Sequence, residues 1–491
     1  MNPDLAAIVN SNRAPNDIQM QQLRILLSTY VSEMSDLNTE ISDTTALLRD
    51  MKNRRRTRSK LIAGLQSALA PIRTVPNEIL GEIFLMYRNE ALSERNYSVL
   101  NAKRPPLVLA HVSSLWRTVC LSDARLWDHI HVHSAARMPP TTTLKEIFKR
   151  SRMRPLDIHI TETPLGGLFR VILGAHNRVQ RVVLRLQSSD NISDFWSHPK
   201  DLPALTTFEL FIERSTRATG VIRPFGLSLF KTAPLLQKLH IWAMHCPFDP
   251  RPGKVVWSQL TELTLELRID QLTALSIIVA CSRLQDCRIF FHTATPPNPV
   301  LIPSSPTSLP DLWRLRVFTR EVHDALLFFE GLSLPALTEL LLSVDELSPQ
   351  ALPNLYNRSP FHLKTLHIHI YMPRDFAAIL NVTPSLEELS CRAVLVDDEV
   401  FESFTYCPAI TMPFVLPKLR SLEIEVDELF TDGIAAAEMA ESFEAYPYGR
   451  NLAFPSLAQV ELTLGGDPLD EDVEERLEEA SGGIFRYERL N

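Results

Sequence analysis

The sequence predicts an α/β chain with a long N-terminal helix or helical hairpin, then a small helical module, then a repeat solenoid carrying a curved parallel sheet. Three observations predict it. Apolar residues recur at steps of three and four from Met20 to Leu69. Two amphipathic stretches follow between Pro71 and His133. A Pro-x-Leu-x-x-Leu-x-Leu unit then recurs from Pro203 onward. The ranges are 1–70 for the stalk, 71–133 for the module, 134–466 for the repeats and 467–491 for an acidic cap or tail.

The stalk comes first. Met20, Leu23, Leu27, Tyr30, Met34, Leu37 and Ile41, then Leu48, Met51, Ile62, Leu65 and Leu69, keep a 3.5-residue period, which is the seam of a coiled coil. Asn16 with Gln19 three residues on reads as a capping box, and Pro71 closes the run. Such a helix needs a partner. Self-association through residues 20–69 and folding back onto the rest of the chain both remain open. Arg55 and Arg58 occupy seam positions within Lys52, Arg54, Arg55, Arg56, Arg58 and Lys60. That run reads either as a nuclear-import signal or anionic contact, or, as preferred here, as a solvated stretch where the helix can turn back.

The module begins at Pro71. Val75-Pro76 followed by Ile79, Leu80, Ile83 and Phe84 makes a helix with one apolar face and a proline tolerated at its start. A second helix is predicted from Pro106 to Leu121, and Leu126-Trp127 opens a strand-like run ending near His133.

The pattern Val75-Pro76-x-Glu78-Ile79-Leu80-x-x-Ile83, then Leu107 to Val112, Ser113, Trp116-Arg117 and Leu126-Trp127, resembles the F-box motif. With the preceding stalk it resembles the fungal F-box-like proteins that combine an N-terminal coiled coil with C-terminal leucine-rich repeats. Val75 stands where that family commonly carries Leu, and the segment from Met86 to Pro105 is longer and more polar than in a compact module. The resemblance implies docking on the Skp-type adaptor of a cullin–RING ubiquitin ligase, through matched positions Val75, Pro76, Ile79, Leu80, Ile83, Val112 and Trp116. Pro76, Ile79 and Leu80 are expected at that interface, and Trp116 in the module's own core.

The repeats follow. The unit reads Pro203-Ala-Leu205-Thr-Thr-Phe208-Glu-Leu210, Pro234-Leu-Leu236-Gln-Lys-Leu239-His-Ile241 and Pro335-Ala-Leu337-Thr-Glu-Leu340-Leu-Leu342. It returns at Pro384, Pro417 and Pro455, with degenerate copies at Val179, Leu260, Leu284, Leu312 and Leu363. A spacing of about 23 to 31 residues, longer near the C-terminus, is that of leucine-rich repeats. Each unit supplies one short strand whose alternate residues point inward, and helix-like stretches such as 272–280 and 373–380 lie between strands. Roughly eleven stacked copies make one continuous core with an extended binding face. Residues alternating with the buried leucines form that face: Thr207, Glu209, Lys238, His240, Glu262, Thr264, Glu339, Thr365, His367, Glu388, Glu423 and Glu425. The face leans acidic toward the C-terminus. The expected partner is a protein substrate, its identity unknown, with a basic or polar surface.

Composition bounds the rest. A chain of 491 residues exceeds one ordinary core unless much of it is a repeat array. A net charge of -8 describes a chain with no strong electrostatic bias and gives no expectation of a nucleic-acid partner, whose footprint is a basic patch on a basic domain. The start, MNPDLAAIVNSNRAPND, lacks a charged segment leading into an apolar one, and no window approaches the roughly 18 apolar residues of a membrane span. No membrane partner is expected, and the expected location is cytoplasmic, nuclear or both. The six cysteines, Cys120, Cys246, Cys281, Cys287, Cys391 and Cys407, form no C-x-x-C pair and read as buried thiols.

Chemistry finds no constellation. His129, His131 and His133 would share one face of a strand and could hold zinc, but no fourth ligand is fixed, and a polar strand face is the preferred reading. His367 and His369 are read the same way. The acidic residues from Asp470 to Glu479 carry too much like charge for a catalytic pair and read as a solvated terminal helix. No H-E-x-x-H, G-x-S-x-G, P-loop or G-x-G-x-x-G occurs. No cofactor, metal or catalytic residue is expected, and the function expected is a substrate-recognition adaptor. The alternative is a non-catalytic leucine-rich repeat scaffold that dimerises through its coiled coil without recruiting a ligase.

Overall fold

The computed structural model describes residues 7–11, 13–94, 97–133, 141–161, 174–188, 201–214, 225–226, 233–244, 248–249, 257–291, 305–319, 326–344, 347–370, 376–396, 398–405, 416–429, 432–444, 456–482 and 484–490. Cys246, Cys407, Pro373 and Pro455 lie outside the described residues. The chain divides into two units, Met1–Leu80 and Gly81–Asn491.

The first unit is dominated by helix α1, Asp17–Ala68, 52 residues long. Its start is fixed by the capping box that the sequence indicates. Asn16 Oδ1 accepts from the Gln19 backbone N–H at 2.9 Å, and Gln19 Oε1 accepts from the Asn16 N–H at 3.0 Å. The helix does not turn back at the basic run, so the helical-hairpin alternative is corrected to one continuous helix. Arginine and lysine propagate a helix well, and Arg54 pairs with Asp50 one turn earlier at 2.5 Å. None of the 52 residues is buried.

After a single 3-10 turn, Pro71–Arg73, helix α2 runs Asn77–Leu92. Its first turn closes when the Leu80 N–H donates to the Pro76 carbonyl at 3.0 Å. Where one helix was expected from Pro106 to Leu121, the structure has two, α3 Leu107–Ala110 and α4 Ser114–Ser122. Ser113 causes the break. Its backbone is extended, and its hydroxyl accepts from the Trp116 N–H at 3.2 Å, starting a new helix. Leu126 and Trp127 belong to a 3-10 turn, Ala124–Trp127, capped by Asp123, and the strand opens only at His129.

Fourteen strands then form a single sheet in which every neighbouring pair is parallel and the spatial order is the chain order. They are β1 His129–His133, β2 Leu156–Thr161, β3 Val179–Ser188, β4 Thr207–Arg214, β5 Lys238–Trp242, β6 Glu262–Glu266 and β7 Asp286–Phe291. The remaining seven are β8 Arg314–Thr319, β9 Glu339–Val344, β10 Thr365–Ile370, β11 Glu388–Val396, β12 Ser421–Leu429, β13 Gln459–Leu464 and β14 Phe485–Arg489. The sheet is not closed, since β1 and β14 each pair on one side only. It begins inside the range read as the helical module. It ends inside the acidic segment, where helix Glu471–Glu479 buries Val473 and Leu477 and leads into β14.

Burial alternates along the strands, buried then half-exposed, so one face of the sheet is covered and the other is open to solvent. On the covered face the register stacks one apolar residue per strand into rows. One row runs through Leu239, Leu263, Cys287, Leu315, Leu340, Leu366, Leu389 and Leu422. Short helices connect many of the strands, and successive ones pack against each other, as Leu326–Glu330 does with Gln271–Ala280 and Ala351–Arg358. Each buried leucine contributes about 1.5–3 kcal/mol against its exposed state, so the rows are the sheet's main stabilisation.

Candidate interaction surfaces

The helical module presents an apolar face on α2. Ile79, Ile83, Met86 and Tyr87 are spaced as i, i+4, i+7 and i+8, and all are exposed. Pro76 and Val112 are exposed and Val75 is half-buried. Leu80 is a correction. It is 0% exposed and belongs to the core instead of a docking face, because it falls on the inward side of α2. Trp116 is half-buried and its ring stands 4.8 Å from that of Phe84. Sequence reading missed Met86, 72% exposed, and Tyr87. Continuing the i, i+4, i+7 spacing past Ile83 would have found both.

A buried charged cluster joins α2 to the first strand of the sheet. Arg88 Nη1 donates to Asp128 Oδ1 at 2.9 Å, with both side chains nearly inaccessible. Arg154 Nε donates to Asp128 Oδ2 at 2.7 Å, and His129 Nδ1 lies 2.7 Å from Oδ1. Burial alone would raise the Asp128 carboxyl, but the hydrogen bonds from His129, Arg154 and Arg88 prevail and hold it at about 2.

Beside that cluster His131 and His159 meet edge to face, centroids 4.7 Å apart, and Tyr97 packs on His131. Burial, reinforced by neighbouring imidazoles and arginines, pushes His131 down to about 3, and burial reinforced by Arg185 and Arg181 pushes His159 down to about 4. They are neutral, packed rings. Among the described residues no group of three or more His, Cys, Asp and Glu is placed to hold a metal ion.

The open face of the sheet brings the predicted substrate-face residues together. Register places Lys238, Glu262, Glu339 and Glu388 in one row, His240, His367 and Glu423 in the next, and Glu425 in a third. Their states differ. Lys238 pairs with Glu262, Glu339 with Arg314, and Glu425 with Arg392 at 3.1 Å, so these charges are answered within the sheet. His240 is half-buried and its pKa is lowered by that burial. His367, Glu388 and Glu423 are exposed. The face is more acidic toward β14. Beyond β8 it carries Glu339, Glu388, Glu423, Glu425, Asp427, Glu461 and Glu488 against Arg392 and Arg486.

The third row holds residues that sequence reading missed. Phe211, Trp242, Phe290 and Phe318 occupy it on β4, β5, β7 and β8, interrupted by Glu266 on β6. Arg185 stacks over Phe211 at 4.4 Å, and Arg288 stacks over Phe318 at 4.6 Å while pairing with Glu266 at 2.9 Å. Neighbouring parallel strands lie about 4.8 Å apart, so these rings form a half-exposed aromatic strip. The signal was present as the outward residue directly after each motif's last apolar position, Leu210, Ile241, Ile289 and Val317.

Among the described residues no helix is long and apolar enough to cross a membrane. No protein-family model matches the chain, and no curated protein matches it at a significant level.

Proposed function

We propose that the chain is a non-catalytic substrate-recognition adaptor of a cullin–RING (SCF-type) ubiquitin ligase, acting in the cytoplasm or nucleus. In this reading the repeats are leucine-rich repeats stacked as a solenoid, residues 71–133 are an F-box-like module that docks a Skp-type adaptor, and the open sheet face holds a protein target. The observation that carries it is the exposed apolar face of α2, Ile79, Ile83, Met86 and Tyr87, on a segment that matches the motif's order. Apolar anchors at helical spacing are what helix-in-groove docking uses. The aromatic strip and the acidic end of the face supply the two chemistries of a target site, large stacked anchors and a surface complementary to a basic partner. The chain itself breaks no bond; it raises the target's concentration near the recruited ligase.

The experiment is a pull-down with purified Skp-type adaptor. Ile79→Asp with Ile83→Asp is expected to abolish adaptor capture while targets bound through the sheet remain. Trp242→Ala with Phe318→Ala is expected to do the reverse. A chain that captures no adaptor with α2 intact would instead be the stand-alone scaffold, a reading favoured by one observation, the uncovered seam of α1.

A further inference from the structure

We infer that α1 pairs with α1 of a second copy of this chain as an antiparallel coiled coil centred near Ala46. The proposal does not depend on the ligase reading. The helix carries an apolar seam along its whole length with no residue buried, and Leu27, Met34, Ile41, Met51 and Leu65 are each more than half exposed. A stripe of that length is covered in a stable protein.

Charge decides what covers it. From Asp17 to Ala46 the helix carries Asp17, Glu33, Asp36, Glu40 and Asp43 with Arg24 as its single base. From Leu47 to Ala68 it carries Arg49, Lys52, Arg54, Arg55, Arg56, Arg58 and Lys60 with Asp50 as its single acid. A parallel pair would set each half against its own kind and would bury Arg55 against Arg55 and Arg58 against Arg58 in the seam. Reversing one helix pairs the acidic half with the basic half.

The seam also has the symmetry this requires. In an antiparallel pair, first-position seam residues face fourth-position ones. With the twofold at Ala46, Leu65 faces Leu27, Ile62 faces Tyr30, and Met51 faces Ile41. Arg58 then faces Met34 and Arg55 faces Leu37, where the long aliphatic stems cover apolar surface. The guanidinium groups reach the turns carrying Glu33 and Glu40, and the flanking Arg54 meets Glu40. Leu48 faces Thr44 and Leu23 faces Leu69, the residue that caps the helix, so this register covers the seam from Leu23 to Leu65.

The test uses the full chain. Light scattering is expected to give a dimer at micromolar concentration. Glu33→Lys with Glu40→Lys, and separately Arg54→Glu with Arg58→Glu, are each expected to weaken self-association at least tenfold, and an equal mixture of the two variants to restore it. None of this helix's residues is buried, so substitution within it removes no core contact. Circular dichroism of each variant confirms that the helix persists. A spin label at Lys60→Cys, with labelled wild type subtracted, is expected to report a separation of about 42 Å, from 1.5 Å of rise per residue on either side of the centre. A monomeric chain, or labels within roughly 20 Å of each other as two parallel helices would place them, would overturn the proposal.

Discussion

Asp128 accepts hydrogen bonds from Arg88 and Arg154 and contacts His129 while almost wholly buried, so removing it strands the buried Arg88 cation, whereas the half-exposed Arg154 keeps its water. Breaking a buried pair from one side costs about 3–5 kcal/mol, and Asp128→Ala is expected to fall in that range by chemical denaturation. The two kinds of shifted group also separate in pH. His131 at about 3 and His159 at about 4 lie below the unfolded histidine value, so the unfolded chain takes up protons first as pH falls. Their contribution is whole above about 6.5 and drains as pH drops toward the folded values. Asp128, depressed to about 2, contributes fully above about 4 and loses that contribution only as pH falls toward 2. The melting temperature is therefore expected to decline from pH 6.5 downward, and His131→Asn is expected to flatten that decline in a pH series of thermal melts. A decline that begins only below pH 4 would assign it to carboxylates alone.

The elements show which physics is local. The capping box at Asn16, the helical period of α1 and the strand alternation were legible because each is set by residues within a turn or two. The break at Ser113 was also local. It was missed because a serine hydroxyl capping a new helix competes with an otherwise continuous apolar period. The ion pairs across the open face were not legible. Arg314 finds Glu339 and Arg392 finds Glu425 only after a whole connection brings the next strand into register. The same holds for Leu80, whose inward side of α2 is decided by what the helix packs on. Within a buried row, truncation leaves a void bounded by the strands on both sides. Leu366→Ala, in the row that runs from Leu239 to Leu422, is expected to cost about 2–5 kcal/mol. A loss below 1 kcal/mol would mean that the row collapses around the gap.

At the scale of the whole molecule, the fourteen-stranded sheet is parallel and its spatial order equals its chain order, and from Val179 onward the repeated Pro-x-Leu-x-x-Leu unit supplies the apolar side that its strands bury. That order lays fourteen sets of outward residues side by side on one open face, which the proposed role assigns to a protein target. The exposed side of α2 is a second, separate apolar surface, and the proposed adaptor role requires the two to work independently. Titration calorimetry of the full chain with a purified Skp-type adaptor tests this most directly. The account predicts one-to-one binding with a negative heat-capacity change, lost in Ile83→Asp and kept in Trp242→Ala. No binding by the intact chain, or binding unchanged by Ile83→Asp, would contradict it.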